Sequence, residues 1–124
     1  MMENFRAFDA GPDPFGRVWH CEFRWLQTAI SIRHADTVDV KFAVETEGEP
    51  KQEKVIVLPH AELLALSSKT ARPLTDPWCL KLAAVHLKHM VESFEDMEKT
   101  LVTLSREELE RANGSMQAAA ASRR

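Results

Sequence analysis

The sequence predicts an α+β fold, in which a small, strongly bent antiparallel sheet is followed by a short helix and a long heptad-patterned C-terminal helix. Residues 17–58 alternate between apolar and polar side chains, as β-strands do. Residues 76–104 carry apolar side chains at intervals of three and four, as an amphipathic helix does. The 124 residues suffice for one domain with a core and are too few for two.

The predicted organisation has one domain between two less regular ends. Residues 1–16 contain several prolines and glycines and are expected to be an extended lead-in. The single α+β domain spans 17–112. Its expected elements are a sheet over 17–58 and helices over 59–69, 76–104 and 105–112. After Asn113-Gly114 the chain is small and polar, so 113–124 is expected to be a disordered tail.

The first strand changes the face of its apolar residues partway along. The apolar-face positions are odd at first and then even: Trp19, Cys21, Phe23 and Trp25, followed by Leu26, Thr28, Ile30 and Ile32. A slip of one residue is what a β-bulge or sharp bend produces. Two strands with a turn near Leu26 and Gln27 are the alternative, but no turn-forming residue lies there. We therefore predict one strand in an antiparallel sheet, with a bend or bulge within Trp25 to Thr28.

The next elements are marked by short local patterns. Residues 34–36 form a predicted hairpin loop before a second strand, whose inward side chains are Val38, Val40, Phe42 and Val44. A charged loop over 45–54 leads to a mostly apolar third strand over 54–58. Pro59 follows directly and suits the first turn of a helix.

The long helix has the clearest pattern in the chain. Thr75 or Asp76 is its predicted N-cap, with Pro77 at the first helical position. Its apolar positions, here called the seam, are Leu80, Ala83, Leu87, Met90, Phe94, Met97, Leu101 and Leu104. Ser105 and Glu108 then match a capping box that begins the last short helix.

The seam predicts a homodimer. A helix over 77–104 is about 40 Å long at 1.5 Å per residue. A three-stranded sheet is only about 15 Å across. Because aligned apolar positions on a soluble protein must be covered, we expect a second chain to pack on the overhanging seam in a twofold-symmetric dimer.

The composition argues against several classes of protein. The 16 basic and 19 acidic side chains give a net charge of −3, so the total implies no strong field. No segment has the pattern of a signal peptide or a membrane span, which predicts a cytoplasmic protein without a membrane partner. Cys21 and Cys79 are far apart and match buried thiols better than a disulfide or a metal site.

A metal site is the first chemistry to weigh. His86, His89 and Glu92 follow one another at intervals of three and could line one helix face. They fall at outer or flanking heptad positions beside Lys88, which favours a solvated face. We therefore predict no metal and no cofactor.

The sequence contains no specific catalytic pattern either. Cys79 lies near a helix N-terminus, which can lower a thiol pKa, but a core cysteine beside Trp78 is the favoured interpretation. The acidic cluster over 95–98 matches a solvated helix exterior rather than a catalytic pair. There is no glycine-rich phosphate loop, since the chain has only four glycines. The sequence therefore predicts a protein that is not an enzyme.

The stretch "FRWLQTAISIRHADTVDVKFAVETEGEPKQEKVIVLPHAELLAL", residues 23–66, resembles a known group of proteins. "ISIR", "VDVKF" and "VIVLPHAELLAL" are similar to successive strands and the following helix of the single-stranded-DNA-binding transcriptional coactivators (the positive coactivator and Whirly-like group). That resemblance implies a strongly curved antiparallel sheet that binds single-stranded nucleic acid, and helices that form a dimer. The bent first strand suits such curvature.

Two functions remain open from the sequence. One is a small dimeric, non-catalytic interaction or structural module. The other is a single-stranded nucleic-acid-binding regulator, with Arg24, Arg33 and Lys41 on the outer sheet face as phosphate contacts. Trp19, Phe23, Trp25 and Phe42 could stack on bases, although aromatic residues on alternating strands are more often core. Residues 17–60 carry six basic and seven acidic side chains, which favours the first function.

Overall fold

The computed structural model describes residues 5–29 and 36–121, and the described residues form a five-stranded mixed sheet and three helices. The strands are β1 (Ala7–Ala10), β2 (Trp19–Ala29), β3 (Thr37–Glu45), β4 (Gln52–Pro59) and β5 (Leu101–Thr103). They lie side by side in sequence order. Neighbours are antiparallel except for β4 and β5, which are parallel. Parallel neighbours require a crossover connection, which the first two helices provide.

The helices are α1 (His60–Thr70), α2 (Asp76–Ser93) and α3 (Arg106–Ala121). α2 crosses the sheet and packs on β1 to β4, while α1 packs on β4 and α3 packs mainly on α2 and α1. Local caps begin two of them, as predicted. The Thr75 hydroxyl accepts from the Trp78 amide at 3.3 Å. The Ser105 amide donates to Glu108 Oε1 at 2.9 Å, and the Glu108 amide donates back to Ser105 Oγ at 3.2 Å, which completes the capping box.

β2 is one strand with a bulge, as its change of parity predicts. Phe23 pairs with Phe42 of β3 and Trp25 pairs with Lys41, so Arg24 is the extra residue. The bulge lies just before the predicted range of Trp25 to Thr28. Because the slip turns Trp25 away from the helices, this ring lies on the face opposite the core.

The predicted long C-terminal helix is wrong. α2 ends at Ser93, and the next residue, Phe94, has a left-handed backbone with φ of 60°. Asp96 has φ of 59°, so the chain turns sharply before β5. The spacing of three and four continues past the end of α2 by coincidence: Met97 in the turn and Leu104 after β5 are buried, whereas Leu101 is exposed on β5. Neither glycine nor proline marks the stop, so the helix end has no strong local signal.

A buried lysine fixes the turn that replaces the long helix. Lys54 of β4 is 1% exposed, and its Nζ donates to the carbonyl oxygens of Met97 at 2.5 Å and Lys99 at 2.7 Å. Burial lowers the pKa of Lys54, and the carboxylate of Glu98 opposes that change. The Val55 amide also donates to the Thr100 carbonyl at 2.7 Å, which aligns β5 with β4. These bonds hold the turn against the sheet where the sequence predicts a helix.

The sheet also differs from its prediction. It is mixed rather than antiparallel, has five strands rather than three, and is not strongly curled. β1 lies in the predicted lead-in, where Phe8 is buried in the core. α3 continues through Asn113 and Gly114 to Ala121, past its predicted end at 112. The predicted hairpin loop at 34–36 falls largely outside the described residues.

The loop between β1 and β2 is organised by the carboxylate of Asp13. Its oxygens accept from the amides of Phe15 and Arg17, each at 2.9 Å, and from Arg17 Nε and Trp19 Nε1, each at 3.0 Å. Burial opposes ionisation of Asp13, but these four hydrogen bonds together lower its pKa to about 2. The carboxylate therefore links the loop to the core ring of Trp19.

Candidate functional site

One face of the sheet carries no helix in the described part of the chain. The core residues of the sheet form a single buried cluster with those of α1 and α2, so the helices occupy the same side. The other side, called the open face here, presents these residues: Ala7, Asp9, His20, Glu22, Trp25, Gln27, Asp39, Lys41, Ala43, Glu45, Glu53, Val55, Val57, Leu101 and Thr103. This surface is the candidate site.

An apolar stripe crosses the middle of the open face. Trp25, Lys41, Val55 and Leu101 are register partners on four successive strands, and they are called the central row here. Leu101 is 57% exposed, whereas Trp25, Lys41 and Val55 are half-buried. Lys41 Nζ lies 5.4 Å from the centre of the Trp25 ring, so its stem adds to the stripe and its charge rests on an aromatic face.

The charges around the central row are mixed and mostly negative. Among the described residues, the open face carries five carboxylates: Asp9, Glu22, Asp39, Glu45 and Glu53. Lys41 Nζ lies 3.0 Å from Glu53 Oε1, and His20 Nδ1 lies 2.5 Å from Asp9 Oδ1. An apolar centre with a charged border is the usual layout of a protein–protein interface.

The predicted nucleic-acid contacts are only partly brought together. Arg24 lies at the bulge beside the open face, with its guanidinium 3.0 Å from the carboxylate of Glu22. Lys41 lies in the central row and pairs with Glu53. Arg33 lies outside the described residues. Both described cations therefore have an acidic neighbour, which weakens their attraction for phosphate.

Most of the seam lies inside the protein. Six of its positions are at most 7% exposed within the single chain: Leu80, Ala83, Leu87, Met90, Met97 and Leu104. Phe94 is half-buried at the end of α2, and Leu101 is in β5 with its side chain on the open face. The overhanging helix that required a second chain does not exist. The seam therefore gives no reason to expect a dimer, and a dimer needs another surface.

The structure places the two cysteines and His86, considered above as nucleophiles and as a metal ligand, in buried positions. Burial raises the pKa of Cys21 to about 12 and that of Cys79 to about 11, which disfavours the thiolates. His86, predicted to lie on a solvated face, is 2% exposed because α3 covers that side of α2. Within the described residues, no three His, Cys, Asp or Glu side chains are placed to hold a metal ion.

Sequence reasoning missed the central row as a unit. The sequence pattern groups Trp25 with aromatic residues that are more often core, and it places Leu101 in the seam. The parity change at Trp25 was the signal for the first, because it turns this side chain to the outer face. Leu101 had no comparable signal, since three residues are too few to show strand alternation.

Searches with protein-family models, against curated proteins and against solved structures found no match for this chain. The geometry of the open face is therefore the basis for a functional proposal. Of the described helices, none is sufficiently long and apolar to pass through a membrane.

Proposed function

We propose that this protein is a small, non-catalytic interaction module that forms a homodimer through the open face of its sheet. The central row is the observation that carries the proposal. It places a half-buried tryptophan and an exposed leucine on a face that no described helix covers. Apolar side chains on an uncovered sheet face gain from burial against a partner.

The charges favour a second copy as the partner. The open face carries cations at Arg24 and Lys41 among its carboxylates, so two copies related by a twofold axis can oppose unlike charges. The net charge of −3 is too small to keep two copies apart. A second copy of the same chain can therefore pair with the open face, and a partner protein of opposite net charge is not required.

The size of the open face indicates a weak dimer. Strands about 4.8 Å apart and residues about 3.3 Å apart give a face of about 20 Å by 20 Å, or about 400 Å² for each copy. A standard stable interface buries about 800 Å² for each partner. We therefore expect a dimer that forms at high protein concentration and dissociates on dilution.

The buried thiols support the non-catalytic part of the proposal. Cys21 and Cys79 are both free and buried, and neither is activated for nucleophilic attack. Free thiols also suit a reducing compartment, so we propose a cytoplasmic location.

Leu101→Glu is expected to abolish the concentration-dependent dimer, because it replaces the most exposed apolar side chain of the central row with a carboxylate that the interface would have to bury. Leu64→Glu is the matched control, since Leu64 is exposed to a similar extent, 50% against 57%, but lies on α1. Sedimentation velocity from low to high micromolar concentration should show association of the wild type and of Leu64→Glu. A wild type that stays monomeric, or a Leu101→Glu variant that still associates, would contradict the proposal.

A second candidate is single-stranded nucleic-acid binding on the same face. One observation supports it: the Trp25 ring can stack on a base, with Lys41 and Arg24 beside it as phosphate contacts. If this candidate holds, replacing Arg24, Arg33 and Lys41 together by alanine should abolish binding and its salt dependence.

A titration of the wild type with a fluorescent single-stranded oligonucleotide at low salt tests that candidate. Binding that disappears in the triple variant but persists when Lys69 on α1 is replaced by alanine would support it. An oligonucleotide signal that does not change up to high micromolar protein would remove nucleic acid from consideration.

A further inference from the structure

His86 is a buried histidine that has no hydrogen-bond partner in the described part of the chain. It lies on α2 beneath α3 and is 2% exposed. Neither Nδ1 nor Nε2 has a partner among the described residues. The carboxylate oxygen Oε2 of Glu108 lies 3.7 Å from Nε2, beyond hydrogen-bond distance. Buried polar groups are nearly always paired, so this imidazole is in an unusual position.

The capping box holds Glu108 at that distance. Its Oε1 accepts from the Ser105 amide at 2.9 Å, and its own amide donates to Ser105 Oγ at 3.2 Å. The carboxylate would have to move about 1 Å to bond with an imidazolium at an ordinary charged hydrogen-bond distance. Such a movement would disturb the first turn of α3. A protonated His86 would therefore lie within ion-pair distance of the Glu108 carboxylate but would gain a hydrogen bond to it only if the first turn of α3 shifted.

The other charged groups around His86 belong to α2, to α3 and to the turn after α2. His89 on the same helix has its ring centre 6.1 Å from that of His86. Burial lowers the pKa of His86 most strongly; Glu108 opposes that shift, Arg111 and His89 add to it, and Asp96 opposes it weakly. The neutral imidazole is therefore the form that fits the closed interface.

We propose that the burial of His86 makes the contact between α2 and α3 acid-sensitive, so that α3 undocks when this imidazole binds a proton. The direction of the pH dependence follows from the linkage between protonation of His86 and docking of α3. Above the ordinary histidine pKa of about 6.5, His86 is neutral whether α3 is docked or not. As the pH falls below that value, the undocked state binds a proton that the docked state does not, and docking weakens.

α3 is suited to undock because it packs mainly on the other helices rather than on the sheet. Among the side chains described in α3, Leu109 and Ala112 are buried, Met116 is partly buried against the core, and Asn113 Oδ1 accepts from Trp78 Nε1 at 3.2 Å. Its ion pairs to α1 join Arg106 with Glu62 and Lys69 with Glu110, at exposed positions. Such surface pairs contribute little, so the buried contacts of Leu109, Ala112 and Asn113 are the main described interactions that oppose local opening.

Hydrogen exchange of the full chain tests the proposal. Exchange rates of amides in residues 106–116 should be compared at pH 7.5 and 5.5, after correction for the intrinsic effect of pH. We expect the rates in the wild type to rise between about threefold and tenfold, since a free histidine titrates about one unit above the lower pH. Amides of β3 should stay constant and serve as the internal reference.

Three variants test whether His86 itself causes the rise in α3 exchange. His86→Leu cannot titrate and should lose the rise, and at pH 7.5 it should be at least as stable as the wild type because it removes an unpaired polar group. His86→Gln serves the same purpose if the leucine variant does not fold. His89→Gln should keep the rise. The side chain of His89 is 35% exposed, so α3 docking does not bury it as it buries His86.

Three outcomes would overturn the proposal. The wild type could show no rise in α3 exchange on acidification. Its α3 exchange could instead slow, which would mean that protonated His86 and Glu108 form an ion pair that strengthens docking. The non-titrating variants at position 86 could show the same rise as the wild type, which would assign the effect to other groups.

Discussion

Phe42→Ala should lower the free energy of unfolding by about 3–5 kcal/mol, the usual cost of removing a fully buried phenylalanine side chain. Phe42 is 0% exposed on the central strand β3. Its ring meets those of Phe8 at 6.0 Å and Phe23 at 6.2 Å between centres, both in edge-to-face contact. The substitution therefore opens a cavity and removes two aromatic contacts that link β1, β2 and β3.

Phe15→Ala is the matched control for that substitution. Phe15 is 70% exposed and has an edge-to-face contact with Phe94 at 5.2 Å. We expect it to cost less than about 1 kcal/mol, as surface substitutions usually do. Urea denaturation followed by far-ultraviolet circular dichroism measures both variants. Equal costs at the two positions would contradict the assignment of Phe42 to the core.

Lys54→Ala should destabilise the protein by about 2–4 kcal/mol, because it leaves the carbonyl groups of Met97 and Lys99 without their donor and removes a buried stem. Lys54→Met keeps most of the stem and should cost about 1–3 kcal/mol through the lost hydrogen bonds. In both variants we expect faster hydrogen exchange at Val102 of β5, since Lys54 holds the turn that precedes this strand.

Lys51→Met is the control for the lysine variants. Lys51 is exposed immediately before β4, so we expect no measurable change in stability. Urea denaturation gives the stabilities, and amide exchange gives the local effect on β5. A Lys54→Met variant as stable as Lys51→Met, with unchanged exchange at Val102, would show that the buried amine does not hold the turn.

The features that were predicted well depend on neighbours in the sequence. Thr75 caps α2 and the Ser105–Glu108 box caps α3 because each cap is formed within four residues. The bulge in β2 is visible as a change of parity, because alternation along one strand records which face is buried. The same alternation placed Phe42 on the core face and Lys41 on the opposite one.

The features that were predicted wrongly depend on contacts between distant residues. The seam has the same spacing whether residues 94–104 continue a helix or form a turn and a strand. The choice is made by Lys54, which binds two carbonyl groups more than 40 residues away, and by pairing of β5 with β4. A pattern of apolar intervals contains no information about either contact.

The candidate site shows the same division. The sequence placed Arg24 and Lys41 near the outer face, but their pairing with Glu22 and Glu53 required the strand register. Leu101 joins the central row only because β5 adds to the edge of β4. The seam does not offer the predicted dimer surface, because the chain's own sheet and helices bury six of its eight positions.

The sequence by itself determined the α+β class, the start of α2 and the capping box of α3, the presence of a bulge in β2 and the inward face of β3, because each of these depends on residues a few positions apart. Only the tertiary structure decided where α2 ends, that β5 completes the sheet in parallel to β4, that His86 is buried, and that an open face carries the central row. Those outcomes depend on which distant groups satisfy one another's hydrogen bonds and cover one another's apolar surface, and local spacing does not specify that choice.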